Sequence, residues 1–299
     1  MELFRKNEKN KKTVYVPKPK PRTHVFIYTY NKANELRETL RSLARTEYDN
    51  YKVFILNNGS KDGTESFIYS IKGKMFNELK VINLPVNIGA PAARNWLVHD
   101  PENRYADFVV YLDDDIILPP NWLGEMIKTF ENFPEAGAVG AKILFAGSPK
   151  VIQHTGGIIL KKEDWINSII THSFEKDQGQ HDYIGLRHYV MGCAHMYRKE
   201  VFDVAGNYDL RFSPTQFDEV EHQIRMRLYG YDAIYNGFIE VTHLLKSGLQ
   251  QSEAALISRE ANKLKMLPLF SKEEISALVD ENLLSLEPAT NLECYSYGQ

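Results

Sequence analysis

Cysteine is almost missing from this chain: Cys193 and Cys294 are the two among 299 residues. They stand far apart and form no CxxC pair, which argues against a disulfide framework or a thiolate zinc site and fits a reducing compartment. Long apolar runs are missing too, since none approaches the ~18 residues that a membrane span needs. Charge of one sign is not in excess. The net charge of −3 and the pI near 6.3 give no basic face of the kind nucleic acid requires. Met1–Arg22 lacks the apolar core of a secretion signal. No GxGxxG and no GxxxxGK[ST] occurs, so neither a dinucleotide site nor a P-loop is supported. Internal repeats are also lacking. With 43% apolar and 25% charged residues, what remains is an ordinary globular chain long enough to bury a sizeable core. These absences together predict a cytoplasmic protein that does not bind nucleic acid.

The first 22 residues carry eight Lys and Arg against two Glu, spaced by prolines. Such a segment is a solvated tail or an electrostatic tether to an anionic membrane surface. From His24 the pattern changes. His24–Tyr30, Tyr51–Leu56, Leu79–Leu84 and Asp107–Leu112 read as buried strands. Between them Lys32–Arg45, a helix opening after Gly63 and ending near Ile71, and Ala90–His99 read as helices. This alternation predicts a parallel sheet of βαβ units. Beyond it we expect a helix at Trp122–Asn132, a strand at Ala138–Phe145, an irregular stretch from Ala146 to His188, and a strand at Tyr189–Tyr197. A short helical turn at Glu200–Val204, a helix at Gln216–Tyr229, a strand at Ala233–His243 and helices at Ser252–Leu267 and Lys272–Leu284 complete the reading. A long irregular stretch in a compact domain is usually functional.

Asp113-Asp114-Asp115 directly follows an apolar strand. In open α/β sheets ligands bind outside the carboxyl ends of strands. Three adjacent carboxylates repel one another, and a divalent cation offsets that repulsion; oxygen ligands suit Mn2+ or Mg2+. A solvated acidic turn is the plain alternative. In the helix at 216–229, Asp218, Glu221, His222 and Arg225 share one spacing and Glu219 points elsewhere. A carboxylate at the start of that helix can take a proton from an attacking hydroxyl; an exposed face of Glu–Arg pairs is the alternative. In Asn87-Ile88-Gly89-Ala90-Pro91-Ala92-Ala93-Arg94-Asn95 a turn opens a helix. Arg94 there would meet a phosphate or a core carboxylate. Thr29, Tyr30 and Asn31 after the first strand, with Asn57 and Asn58 after the second, would line the same sheet edge; Tyr stacks on a base and Asn reads its edge. His243 closes a strand and is either structural or a ligand. His154, His172, His181, His188 and His195 read as surface or acceptor-loop residues, and Cys193 as a small buried hydrophobe.

Taken in order, these segments resemble the family 2 glycosyltransferases of the GT-A fold over roughly His24 to His243. Asn57–Thr64 resembles the family's DDGSxDGT loop, Asn87–Asn95 its NxGxxxARN segment, and Asp113–Asp115 its DxD motif. Met191–Cys193 with Arg198–Asp209 resembles the acceptor-side stretch, and Asp218-Glu219 with Arg225 and Gly230-Tyr231 the ED-type base motif. The resemblance implies an α/β GT-A fold, Rossmann-like, with a mostly parallel central sheet flanked by helices and with C-terminal helices. It implies an inverting transferase that moves a sugar from a nucleotide-diphosphate sugar to an acceptor hydroxyl.

In that reading Asp113, Asp115 and His243 hold Mn2+ or Mg2+, and Thr29, Tyr30, Asn31, Asn57, Asn87, Gly89, Arg94, Asp113 and Asp114 bind the nucleotide sugar. Glu219 is the base and Asp218 its neighbour; the order Asp-Glu reverses the commoner pair, so either could serve. Asn57 stands where the family often has Asp, and UDP is the favoured nucleotide. The acceptor would be a carbohydrate, a lipid-linked molecule or a protein. The expected parts are a basic extension at 1–22, a nucleotide-sugar half at 23–145, an acceptor and catalytic half at 146–245, and a helical extension at 246–299. A sugar nucleotidyltransferase is the rival enzyme, although its Gly-rich loop is lacking after strand one. A catalytically inactive sugar-nucleotide-binding module is the rival without catalysis.

Overall fold

A computed structural model describes residues 18–159, 169–170, 173–244, 253–266 and 268–278. Three successive βαβ steps build its first half. They run through β1 (Thr23–Thr29), α1 (Ala33–Leu43), β2 (Tyr51–Asn58), α2 (Thr64–Ile71), β3 (Leu79–Leu84), α3 (Ala90–Val98) and β4 (Phe108–Leu112). β1 pairs in parallel with β2 on one side and with β4 on the other, and β2 pairs in parallel with β3. The chain therefore moves outward from β1 to β3 and returns across β1 to β4. That reversal opens a crevice at the carboxyl ends of β1 and β4, where open sheets bind ligands.

β1, β2 and β4 are buried on both faces, β3 being the half-buried edge strand, and alternation assigns each residue to one face. Val25, Ile27, Val53, Ile55, Val110 and Leu112 join the core under α1, α2 and α4 (Trp122–Asn132). Phe26, Phe54, Leu56, Val109 and Tyr111 face the opposite core, with Ala93, Leu97 and Val98 of α3. The predicted Leu36, Leu40 and Leu43 face of α1 is fully buried.

Beyond β4 the parallel rule lapses. β5 (Ile116–Ile117), β6 (Ala136–Phe145), β7 (Val151–His154), β10 (Ile184–Arg187), β11 (Ala194–Arg198) and β12 (Asp232–His243) extend the same sheet in the order β10-β12-β6-β11-β4-β1-β2-β3. β11 lies antiparallel between β4 and β6, while β6 and β12 run parallel. The sheet thus draws strands from both sides of residue 145. β8 (Ile158–Ile159) and β9 (Ile169–Ile170) form a small separate pair.

The segment read as irregular, 146–188, therefore holds short strands. Lys142, fully buried on β6, anchors it through Asp182 at 2.5 Å and Asp177 at 3.0 Å. α5 (Val201–Val204) and α6 (Asp218–Leu228) follow. α7 (Glu253–Met266) and α8 (Lys272–Leu278) pack through Met266, Ile275 and Leu278 onto Val220 and Ile224 of α6. The basic lead-in before Lys18, the remainder of the second C-terminal helix after Leu278, His172 and Cys294 lie outside the described residues. No described helix is long and apolar enough to cross a membrane.

Candidate active site

Asp113, Asp114 and Asp115 fill the turn between β4 and β5, at the crevice beside β1. The backbone N–H of Asp113 donates to the Cys193 carbonyl at 2.8 Å, and the Tyr28 hydroxyl reaches its carboxylate at 3.5 Å. Asp115 is almost fully buried. His243, at the end of β12, points Nε2 at Asp115 Oδ1 over 3.0 Å. Asp113, Asp115 and His243 each offer a ligand atom, and these atoms lie within 4.8 Å of one another. Two carboxylates and an imidazole around so small a space fit a divalent cation such as Mn2+ or Mg2+.

Electrostatics supports that fit. Burial, and then the neighbouring Asp115, push the Asp113 carboxyl above its ordinary value. Burial lifts Asp114 to about 6 against the pull of Lys32. Burial also acts to raise Asp115, but the hydrogen bond and charge of His243, with Lys32, outweigh it and hold that carboxyl low. Lys32 was not singled out from sequence, yet its ammonium lies 2.8 Å from Asp115 and 3.2 Å from Asp114. It balances part of the charge that a cation would otherwise meet. Gln153 was also missed. Its Oε1 faces His243 Nδ1 at 3.0 Å.

The second carboxylate pair converges on the same crevice. α6 begins after Phe217, which has φ 67°. Asp218 is fully buried and paired with Arg94 of α3. Arg94 therefore meets a core carboxylate, the second of the two roles its sequence allowed. Glu219 is half-buried beside it. Gly192 explains the closeness of these groups. A Cβ there would lie 3.1 Å from Arg94 Nη2 and 3.1 Å from the Glu219 carboxyl carbon, so both side chains close over a residue that has none. The next residue, Cys193, is buried as expected and carries the carbonyl that holds Asp113. Burial, and then Asp218, raise Glu219 to about 7, partly opposed by Arg94. A carboxylate tuned to that value suits a general base.

The predicted strand at 189–197 begins only at Ala194, because residues 191–193 turn to make these contacts. The alternative of an exposed Glu–Arg face does not hold: Glu221 and Arg225 form a bidentate pair at 2.8 Å that is largely buried, and His222 bonds the Gly206 carbonyl. The histidines read as surface residues lie inside. His154, His181, His188 and His195 are buried, and His195 meets the Tyr208 hydroxyl at 3.1 Å.

The residues expected around the nucleotide sit at one sheet edge. Thr29 and Asn57 are register partners at the ends of β1 and β2, and Tyr30 is exposed. Asn31 spends its side-chain oxygen on the Lys61 N–H at 2.7 Å, tying the loop after β1 to that after β2. Asn57 caps its own turn by accepting from the Ser60 N–H at 3.1 Å. Asn58 donates to Asn87 at 2.9 Å, and Asn87 in turn accepts from the Gly89 N–H at 2.8 Å. Gly89 has φ 80° and lies against Pro214, in the loop that leads to α6. A side chain there would be strained and would press on that loop.

Comparisons with known proteins agree with this architecture. The sequence pattern of "Glycosyl transferase family 2" matches residues 24–206. The poly-beta-1,6-N-acetyl-D-glucosamine synthase of Staphylococcus epidermidis is 24% identical over 210 residues, 70% of this chain and 47% of that protein. The chain thus spans less than half the length of that curated relative. A structure of GalNAc-T7 with UDP, GalNAc and Mn2+ superposes with a TM-score of 0.66 at 14% identity, covering 87% of this chain and 50% of that one. The mannosyltransferase from Pyrobaculum calidifontis in complex with GDP-Man and Mn2+ gives 0.55 at 16% identity, covering 89% and 81%. Both neighbours are GT-A glycosyltransferases and share the fold. Because the family pattern runs through more than half of the sequence and includes the turn of aspartates at the crevice, this chain belongs to glycosyl transferase family 2.

Proposed function

We propose that the protein is an inverting, cation-dependent glycosyltransferase that takes a sugar from a nucleotide-diphosphate donor, UDP favoured, to an acceptor hydroxyl. The observation that carries this reading is the convergence of Asp113, Asp115 and His243 with Glu219 on one crevice, joined through Gly192 and Cys193. A divalent cation at the first three residues would neutralise charge on the leaving diphosphate. Glu219 takes the proton of the acceptor hydroxyl. The acceptor oxygen bonds to the sugar C1 while the bond from C1 to the diphosphate oxygen breaks, its electron pair leaving with the nucleotide. Attack from the opposite face inverts the anomeric centre and needs no covalent intermediate. Asp218 serves by position: it is fully buried and held by Arg94, whereas Glu219 is half-buried against Gly192, next to the residue whose carbonyl holds Asp113. Thr29, Tyr30, Asn31, Asn57, Asn87, Gly89, Asp113 and Asp114 would line the donor side.

The acceptor is a carbohydrate, a lipid-linked molecule or a protein, met on the side of residues 146–188. The basic N-terminus would add contact with the inner membrane face. Incubation with UDP- and GDP-sugars and Mn2+ tests the reading by release of nucleoside diphosphate. UDP release is expected. Pyrophosphate released from a nucleoside triphosphate and a sugar phosphate would instead favour the nucleotidyltransferase. No turnover of any donor would favour the inactive binding module.

A further inference from the structure

We propose that Gln153 is a positioning residue that fixes the tautomer of His243, so that Nε2 presents a lone pair to the cation. The inference rests on the cation-dependent reading of this site. Gln153 belongs to β7, in a stretch that carries no motif. The β7–β6 register steps from Ile143 opposite His154 to Leu144 opposite Ile152, which leaves Gln153 as the extra residue of a β-bulge. Bulges beside active sites re-aim a side chain. Here the bulge sends the Gln153 amide to His243 Nδ1 at 3.0 Å, on the side of the ring away from Asp115. Gln153 is 7% exposed, and its backbone carbonyl accepts from the Ser173 hydroxyl at 2.7 Å, which holds the backbone of the bulge in place.

A neutral imidazole carries one N–H. An amide oxygen at Nδ1 keeps that proton there, so the proton that Nε2 shares with Asp115 is the one a cation displaces, leaving the Nε2 lone pair for the ion. Nε2 points at Asp115 Oδ1, into the space shared with Asp113. Partners of this kind orient a ligating histidine and commonly change metal affinity by about 10–100-fold when removed.

Titration calorimetry with Mn2+ tests the proposal. Gln153→Leu should bind Mn2+ about 10–100-fold more weakly than wild type. Gln153→Glu, which restores an acceptor at Nδ1, should recover most of the affinity that Gln153→Leu loses. Joining Gln153→Leu to His243→Ala should cost nothing beyond His243→Ala alone, because the glutamine acts through the histidine. In the Mg2+-loaded protein, 15N shifts should place the His243 proton on Nδ1 in wild type and lose that preference in Gln153→Leu. If Gln153→Leu fails to melt as wild type does without metal, Gln153→Met takes its place. Wild-type affinity in the leucine or methionine variant, or an Nε2-protonated ring in wild type, overturns the inference alone. Absence of Mn2+ binding by wild type overturns both the inference and the reading beneath it.

Discussion

Arg94 and Asp218, 124 residues apart in the chain, form a buried ion pair at the base of the candidate active site. Arg94 also lies 5.4 Å from the rings of Tyr28 and Tyr208. The pair ties α3 to the start of α6 and so sets where Glu219 stands. Breaking a buried pair leaves one charge without compensation and costs about 3–5 kcal/mol, while replacing both partners by apolar groups is often neutral. Arg94→Met should therefore destabilise the protein by about that amount. Arg94→Met with Asp218→Leu should recover most of it. Urea unfolding of the three proteins measures both effects; equal stability of Arg94→Met and wild type would show that the pair does not hold the fold.

The pH dependence follows from Glu219. Its carboxyl is raised from an ordinary 4.5 to about 7, by burial first and Asp218 second. A base must be deprotonated, so transfer should fall about tenfold per pH unit below 7. Asp218→Asn removes a repelling charge and leaves Arg94 in place, which lowers the Glu219 value and moves the acidic limb to lower pH. Stability runs the other way. A raised value in the folded state favours the fold fully below about 4.5, and that contribution is lost as pH rises through about 7. Glu219→Gln should thus be more stable than wild type at pH 8, by about 1–3 kcal/mol, with the difference vanishing toward pH 4.5. Rate profiles and melting curves across pH 4–9 check both statements.

Lys32 competes with a cation for the aspartates. It pairs with Asp115 and Asp114 at 2.8 and 3.2 Å. Lys32→Met removes a positive charge at ion-pair distance and should tighten Mn2+ binding about tenfold, ~1.4 kcal/mol. Calorimetry reads this directly. Weaker binding by the variant would show that the lysine supports the cation.

Much of the first half was legible in the sequence. β1, β3 and β4 were expected within a residue at each end, because each is a mostly apolar run bounded by polar turns, while β2 runs two residues past the expected Leu56 to Asn58. β3 and α4 have the expected ends. The aspartate turn and His243 were also legible, since each directly adjoins such a run. The rest was hidden for physical reasons. Strands of two to four residues in the 146–188 segment are too short to show a period, and β10 pairs with β12, about 50 residues away in the chain. Gln153 becomes visible only through a bulge, Lys32 only through partners more than 80 residues away, and for Arg94 only the identity of its carboxylate partner was hidden. The histidines of the middle region looked polar in sequence, yet each described one places a ring nitrogen against a polar group inside, such as the Leu278 carbonyl at 2.8 Å from His188.

Glu219→Gln provides the most direct test, with nucleotide binding and sugar transfer measured on the same protein with Mn2+ present. If the aspartate turn holds the donor and Glu219 faces the acceptor, UDP affinity should stay within about threefold while transfer falls about 10²–10⁴-fold. Transfer at close to the wild-type rate would contradict the account.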